Sequence, residues 1–419
     1  MLRSASQRRR FAAVGGAAAL LAVTVACGGS SHTSSSTSSS APPNSSGSPL
    51  TAAPYVIGNI GTYSGSFASS SIGAKDGVDA WVKYTNAHGG INGHPVKLIL
   101  KDDQLNAALS ITEAKQLVSQ HVLAIVGVGS IVEDSFAPYL STQSTAVIGD
   151  DLSKNVMGKY KNFFPQGATY VAGYYYGEPK AAALAGAKKF GSIYCAESTA
   201  CSQIAKAQVG QTGSVGLSFA FKTAASSSAP SYTAQCLTAK GSGADSVALV
   251  LNEQVASRVA AACEQQGYHP LWVQGGSGFT QSETTDSALD HVVGAVPVFP
   301  WFASSNAAMN EFQSAMRQYE PQDFSSSTAN GYSQATANAW ASAEIFKAAA
   351  MGLTGANPTS QNLIDQLYKL PPNNTFGGLT PPISYVSGAP QPPVNCFFAI
   401  ELKSHTYSVQ KNGTPVCRP

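Results

Sequence analysis

The chain has 419 residues, 43% of them hydrophobic and only 11% charged, enough length for two or three domains and enough apolar mass for a sizeable core. Its formal net charge is +2, and Arg3, Arg8, Arg9 and Arg10 all stand in the first ten residues. Without those four the balance is −2 (2 − 4), so the body carries no basic field that would draw nucleic acid.

Residues 1–26 read as an export signal: a positive stretch ending in "RRR" precedes an apolar, Ala-rich run from Phe11 to Ala26. That run falls short of the ~20 apolar residues that span a bilayer comfortably. It closes on "TVAC", which resembles a bacterial lipobox with Cys27 as the lipidated residue, although Thr24 stands where Leu, Val or Ile is usual. Residues 27–53 then collapse to Ser, Thr, Pro and Gly, a composition that buries too little apolar surface to order itself. A disordered tether is expected there. Anchorage to the outer face of the bacterial cytoplasmic membrane is the expected location.

The founding unit of the folded body is 55–103. An apolar run from Tyr55 to Ile60 leads into the Gly/Ser-rich turn "GTYSGSFASSSIG", an amphipathic helix from Ala74 to Ala87, a Gly turn and a second run from Val96 to Leu100. That order is strand, helix, strand: one right-handed βαβ unit. Further strands are predicted at Leu123–Val128, Ala146–Ile148, Ser192–Cys195, Ser214–Phe221, Ser246–Leu251, Leu271–Val273 and Val292–Val298. Helices fall between them, such as Ile111–Gln120 and Val255–Gln266, the second ended by Gly267. The pattern predicts α/β architecture with doubly wound parallel sheets, and a second start near Lys189–Ile193 divides it into two similar lobes. Beyond 300, helices at Asn306–Tyr319, Gln334–Met351 and Gln361–Leu370 complete the first lobe, and "CFFAIELKSHTYSVQKNGTPVC" reads as a hairpin.

Seven cysteines leave six once Cys27 is assigned to lipid, an even number that suggests disulfides in an exported chain. Fifteen pairings are possible; proximity favours Cys195 with Cys201, Cys236 with Cys263, and Cys396 with Cys417. A zinc site is the rival, but no C-x-x-C pair occurs.

Catalytic signatures are absent. There is no G-x-S-x-G elbow, the sole S-x-x-K lies at Ser408–Lys411 inside the hairpin, and no two histidines stand at i, i+4. "GVGSIV" lacks the third glycine of a dinucleotide fingerprint, and no Walker loop is present. No enzyme activity, cofactor or metal is expected.

Several segments carry a resemblance. "NAHGG" followed by "INGHPV", then "LKDDQLNAALSITEAKQLVSQHVLAIVGVGS", "GYSQATANAWASAEIF" and "FGGLTPP" resemble the type I periplasmic binding proteins of the leucine/isoleucine/valine and amide group, the solute receptors of ABC importers. The resemblance implies two Rossmann-like lobes joined by a three-strand hinge and closing on a solute. Lobe 1 would comprise 54–166 and 300–375, lobe 2 would comprise 167–299 and 376–419, and the chain would act as a monomer with ABC permease membrane subunits as partners.

Of the ligand positions that the resemblance implies, Ser130 matches the first hydroxyl, Ile131 replaces the second, and Asp151 and Ser153 follow the next strand. Glu253 lies two positions from the expected acid, and the expected tyrosine falls at about Cys201. Phe67, Phe279 and Tyr332 are candidate stacking residues. The expected solute is small and polar, amino-acid-like or amide-like, and Asp151 suggests a donor or cationic group on it. Two other readings stand beside capture for import: an extracellular sensor signalling to a membrane partner, and an exported hydrolase working through an unrecognised Ser or Asp pair.

Overall fold

The structure, a computed structural model, describes residues 50–65, 68–150, 155–324 and 331–419. Lobe 1 opens with β1 (Tyr55–Gly61), α1 (Ala68–Ala87), β2 (Val96–Asp102), α2 (Ala107–Ser119), β3 (Ala124–Val128), α3 (Glu133–Leu140), β4 (Ala146–Asp150) and β5 (Phe163–Phe164). Its strands form one parallel sheet in the order β2-β1-β3-β4-β5. β3 and β4 are buried at every residue, which is why they read as unbroken apolar runs and not as alternations.

Lobe 2 contains α4 (Glu178–Leu184), β6 (Lys189–Cys195), α5 (Thr199–Gln211), β7 (Ser218–Ala225), α6 (Thr233–Ser242), β8 (Ser246–Val250), α7 (Glu253–Gln265), β9 (Leu271–Gly275) and β10 (His291–Val296). The chain then returns to lobe 1 as α8 (Ala307–Tyr319), α9 (Gln334–Ala350) and α10 (Ser360–Leu367). It ends on lobe 2 with β11 (Cys396–Lys403), β12 (Thr406–Val409) and β13 (Val416–Cys417). The second sheet runs β12-β11-β10-β9-β8-β6-β7, parallel from β7 to β10, with β11 and β12 added antiparallel as the expected hairpin. Three crossings join the lobes and are stitched together where Ala168 N donates to Pro297 O at 3.0 Å and Phe299 N to Leu379 O at 2.9 Å.

Among the boundaries that differ from the sequence expectation, two have a clear structural cause. Helix α1 begins at Ala68, six residues before the expected Ala74, because its first turns are buried: Ser71 is enclosed and Gly73 packs against the start of α9. That contact outweighs the weak helix propensity of Ser and Gly. Strand β7 starts four residues later than expected. Gly213–Val215 forms a 3₁₀ turn closed by Gly216 at φ +83°, and the strand takes up pairing with β6 only afterwards.

The core of lobe 1 gathers where α1 meets α9. Trp81 packs edge-on against Phe346 at 6.2 Å between centroids, and its indole N–H donates to Glu344 Oε1 at 2.7 Å. In lobe 2 the disulfide Cys236–Cys263 joins α6 to α7, and both half-cystines are fully buried. The other pairs are Cys195–Cys201 and Cys396–Cys417, so all three bonds follow the proximity rule. Breaking Cys236–Cys263 frees a long loop of the unfolded chain. The Cys236→Ala/Cys263→Ala chain is therefore expected to lose ~3 kcal/mol, read by urea unfolding beside the oxidised parent.

Candidate functional site

The C-terminal ends of both parallel sheets face a cavity of about 410 Å³ lined from both lobes, the place where ligands bind in open α/β folds. Lobe 1 supplies Ser70, Leu105, Ile131, Val132 and Asp134. Lobe 2 supplies more of the wall: Tyr170, Tyr174 and Glu178 along one face, Ile204 and Leu249–Leu251, and the disulfide Cys195–Cys201 at the start of α5. Most of this lining is apolar.

Behind the lobe 1 wall lies a buried polar brace. Asp103 accepts the hydroxyls of Thr62, at 2.8 Å, and of Ser130, while Ile131 N donates to Thr62 Oγ1 at 3.1 Å. Asn59 fixes the adjoining strand by donating to Val126 O and Gly127 O at 3.0 and 2.7 Å. These bonds set the loop that presents Ile131 and Val132 at the head of α3. Ser130 is 1% exposed and its proton is committed to Asp103, so this hydroxyl holds the wall up from behind.

The face built by Tyr170, Tyr174 and Glu178 comes from an unusual helix. Val171–Gly177 winds as a π-helix that runs directly into α4, a turn often found at functional sites. It brings residues spaced by four onto one side. Gly275, the last residue of β9, and Gly276 after it make room for them: a Cβ on Gly275 would lie 2.4 Å from Glu178 Oε1, and one on Gly276 would lie 1.7 Å from the Tyr174 hydroxyl. Gln208 of α5 donates to Glu178 Oε2 at 2.6 Å and to Tyr174 O at 3.3 Å. Burial without a cation pushes the Glu178 carboxyl well above the usual range, which favours its protonated form. Beside it Gln274, 2% exposed, bonds the Glu283 carboxyl through its side chain and leaves Oε1 without a partner.

The cleft edges carry the lobe-to-lobe contacts. Ser70 Oγ of α1 donates to Glu253 Oε2 of α7 at 3.1 Å. On another edge the loop after β9 meets the start of α9: Gln281 N donates to Tyr332 O at 3.2 Å and Gln334 N to Phe279 O at 3.1 Å.

The structure separates the residues expected at the site. Ile131 lines the cavity, Glu253 bridges the lobes beside it, and Ser130 stands one layer behind. Phe279 is not a cleft residue: it is fully buried, packed against Trp301 and Tyr407 in the core. Phe67, Asp151 and Ser153 lie outside the described residues, as does Cys27. Tyr174 and Glu178, neither of them among the expected site residues, are both cavity walls, and Glu178 carries no sequence signal beyond being an acid in an apolar stretch.

Tyr332 belongs to a second, more open cavity of about 650 Å³, shared with Gln313, Arg317 and Asp323. Its hydroxyl donates to Trp301 O at 2.9 Å and meets Gln313 Oε1 at 2.5 Å. Asp323 is buried with Oδ2 unpartnered. Burial first, then the charges of Asp76 and Glu320, push its pKa up to about 7 against the pull of Lys75. A carboxyl with a raised folded pKa favours folding while both states are protonated, below its unfolded value near 3.8, and that contribution is lost as pH rises to about 7. Asp323→Asn is expected to flatten stability across that window and raise the melting temperature at pH 7.5, read from thermal melts in a pH series.

Among the described residues no group of three or more His, Cys, Asp or Glu could hold a metal ion, and no helix is long and apolar enough to cross a membrane. The two lobes, the three crossings and the interlobe cavity define a solute-binding fold. The chain belongs to the periplasmic binding protein family, whose model, described as "Periplasmic binding protein", matches residues 54–406.

Solved structures of the same fold include a substrate-binding periplasmic protein from Ralstonia solanacearum, at 15% identity and TM-score 0.71, covering 86% of this chain and 100% of that one. A branched-chain amino acid transporter substrate-binding protein from Streptococcus pneumoniae, in complex with isoleucine, is 16% identical with TM-score 0.68, covering 87% and 100%. A solute-binding protein of an ABC transporter from R. palustris, in complex with benzoate, is 15% identical with TM-score 0.66, covering 87% and 98%. No curated protein sequence matches the chain.

Proposed function

We propose that this chain is the exported, lipid-anchored solute receptor of an ABC importer. It captures a small solute between its lobes and presents the loaded form to permease subunits in the membrane. The observation that carries this reading is the cavity of about 410 Å³ lined from both lobes, a size that encloses a small organic molecule. Family membership and the solutes in the related structures, isoleucine and benzoate, agree with it. Anchorage rests on the sequence alone, through Cys27 and the Ser/Pro-rich stretch after it.

Capture needs no bond chemistry. A solute touching Ile131 and Val132 on one wall and Tyr174 on the other stabilises the approach of the lobes by its contacts with both. The test is a solute panel read by thermal shift and X-ray scattering on the mature chain. A solute at a hundred times its dissociation constant adds ~2.7 kcal/mol to stability, and scattering shows whether the lobes, bonded to each other before any solute arrives, keep their spacing. A broad panel giving no shift overturns the reading. Labelling of the intact chain with a palmitate analogue, lost in Cys27→Ala, tests the anchor.

A further inference from the structure

The floor and rim of the interlobe cavity carry an asymmetry of charge. Among its described lining residues there is no Lys, Arg or His, while Asp134, Glu178 and Glu197 are acids. The helix starts that would attract an anion already have carboxylates of this chain beside them. Glu133 and Asp134 stand in the first turn of α3, Glu253 in that of α7, and Glu197 just before the Ser198 cap of α5. A solute carboxylate would meet these acids with no cation to offset them.

What the site lacks is hydrogen-bond donors for its buried acceptors. Gln274 Oε1 is unpartnered in the cavity lining, Gln208 Oε1 is buried and unpartnered on the residue that donates to Glu178, and Glu253 Oε1 is likewise on the residue bonded to Ser70 of the lining. An unsatisfied buried acceptor costs about 1–3 kcal/mol until something donates to it. Glu178 sits among them, with the Tyr170 and Tyr174 rings 4.8 Å apart between centroids along the same face. Tyrosine faces attract cations, and apolar side chains complete the enclosure.

Resting on the solute-receptor reading, we propose that the cleft takes a primary amine on an aromatic or aliphatic body without a carboxylate, its ammonium group seated between Glu178 and Gln274. An ammonium brings three donors to the floor. As it docks, the Glu178 O–H bond breaks, the proton passes to solvent, and the carboxylate left behind pairs with the cation. Burial that favours the protonated acid in the empty site makes this proton release a readable signature.

The experiment is calorimetry on the mature chain with 2-phenylethylamine, phenylacetamide and 3-phenylpropionate, in two buffers of different ionisation enthalpy. The amine is expected to bind at least tenfold more tightly than the other two and to release about one proton per molecule bound. Glu178→Gln, nearly isosteric, is expected to weaken the amine at least tenfold and abolish proton release while leaving the amide within threefold. The probe selectivity and the proton count on the unaltered chain stand even if the variant folds poorly. Equal or tighter binding of the amide or the acid, or amine binding without proton release, overturns the assignment and leaves the solute-receptor reading intact. Binding of none of the three also overturns it, and the wider solute panel then decides the receptor reading separately.

Discussion

Gly77→Leu is expected to destabilise the protein by on the order of 4 kcal/mol, the largest effect of any single substitution considered. Gly77 lies where α1 crosses α9, and a Cβ there would stand 2.5 Å from Thr336 O and 2.9 Å from Thr336 Cα. Those atoms are backbone, so no rotamer change can relieve the clash and the two helices must separate. Gly73, one turn earlier, meets Ser333 Oγ and Gly331 O at 2.5 and 2.9 Å, so the separation would spread along the seam. Overpacking a tight core ordinarily costs 1–3 kcal/mol, and a rigid neighbour puts this position at or beyond the upper end. Gly210→Ala in α5 is the control: nothing lies within 4 Å of its Cβ, and it should gain roughly 0.5–1 kcal/mol from helix propensity. Urea unfolding of both variants decides the point. Equal midpoints for Gly77→Leu and the parent would refute the close crossing.

The largest effect on binding is expected from Gly276→Val. The residue sits at φ +59°, and a Cβ would come within 1.7 Å of the Tyr174 hydroxyl, so two costs arise together. A left-handed conformation costs an ordinary side chain about 1–2 kcal/mol, and a β-branched one fares worse. Tyr174 must also leave the wall it forms with Tyr170, opening the cavity on that side. Affinity for whichever solute shifts the melting curve should fall about a hundredfold, with a stability loss of roughly 2 kcal/mol. An unchanged dissociation constant by calorimetry would show that Tyr174 takes no part in holding the solute.

How much of this could be seen in the residues depends on where each signal lives. The first βαβ unit was legible because its strands are short apolar runs and its turn is rich in glycine, both local properties. The hairpin at the end of the chain was legible for the same reason. The cavity floor was not. Tyr170, Tyr174 and Glu178 follow one another at a spacing of four, which shares a face in any helix, but nothing local says that this face meets the cleft and packs under the end of β9 and α5. Glu178 reads as a surface acid until the fold buries it.

Ser130 is a different case. The resemblance marks it as a ligand hydroxyl, and in the fold Asp103, 27 residues away, accepts that hydroxyl, a partner to which the local sequence does not point. Phe279, a stacking candidate by sequence, is drawn into the core by Gly294 of β10, where a Cβ would meet the ring at 2.4 Å, a contact that no local pattern announces. The charge asymmetry of the cleft is a hybrid case: the scarcity of charge is plain in the composition, but which few acids converge is set by topology.

The contacts between Gln281 and Tyr332, between Gln334 and Phe279, and between Ser70 and Glu253 have a consequence in time. Each is worth about 1 kcal/mol net, so spreading the lobes far enough to break all three costs about 3 kcal/mol. That leaves the spread form at somewhat under one molecule in a hundred before any solute arrives. A solute must then wait for that rare form, and its arrival rate falls by the same factor, while one already inside must wait equally for a way out. The protein would be a slow collector with a long memory of what it holds, and handover would depend on a partner that prises these three contacts apart.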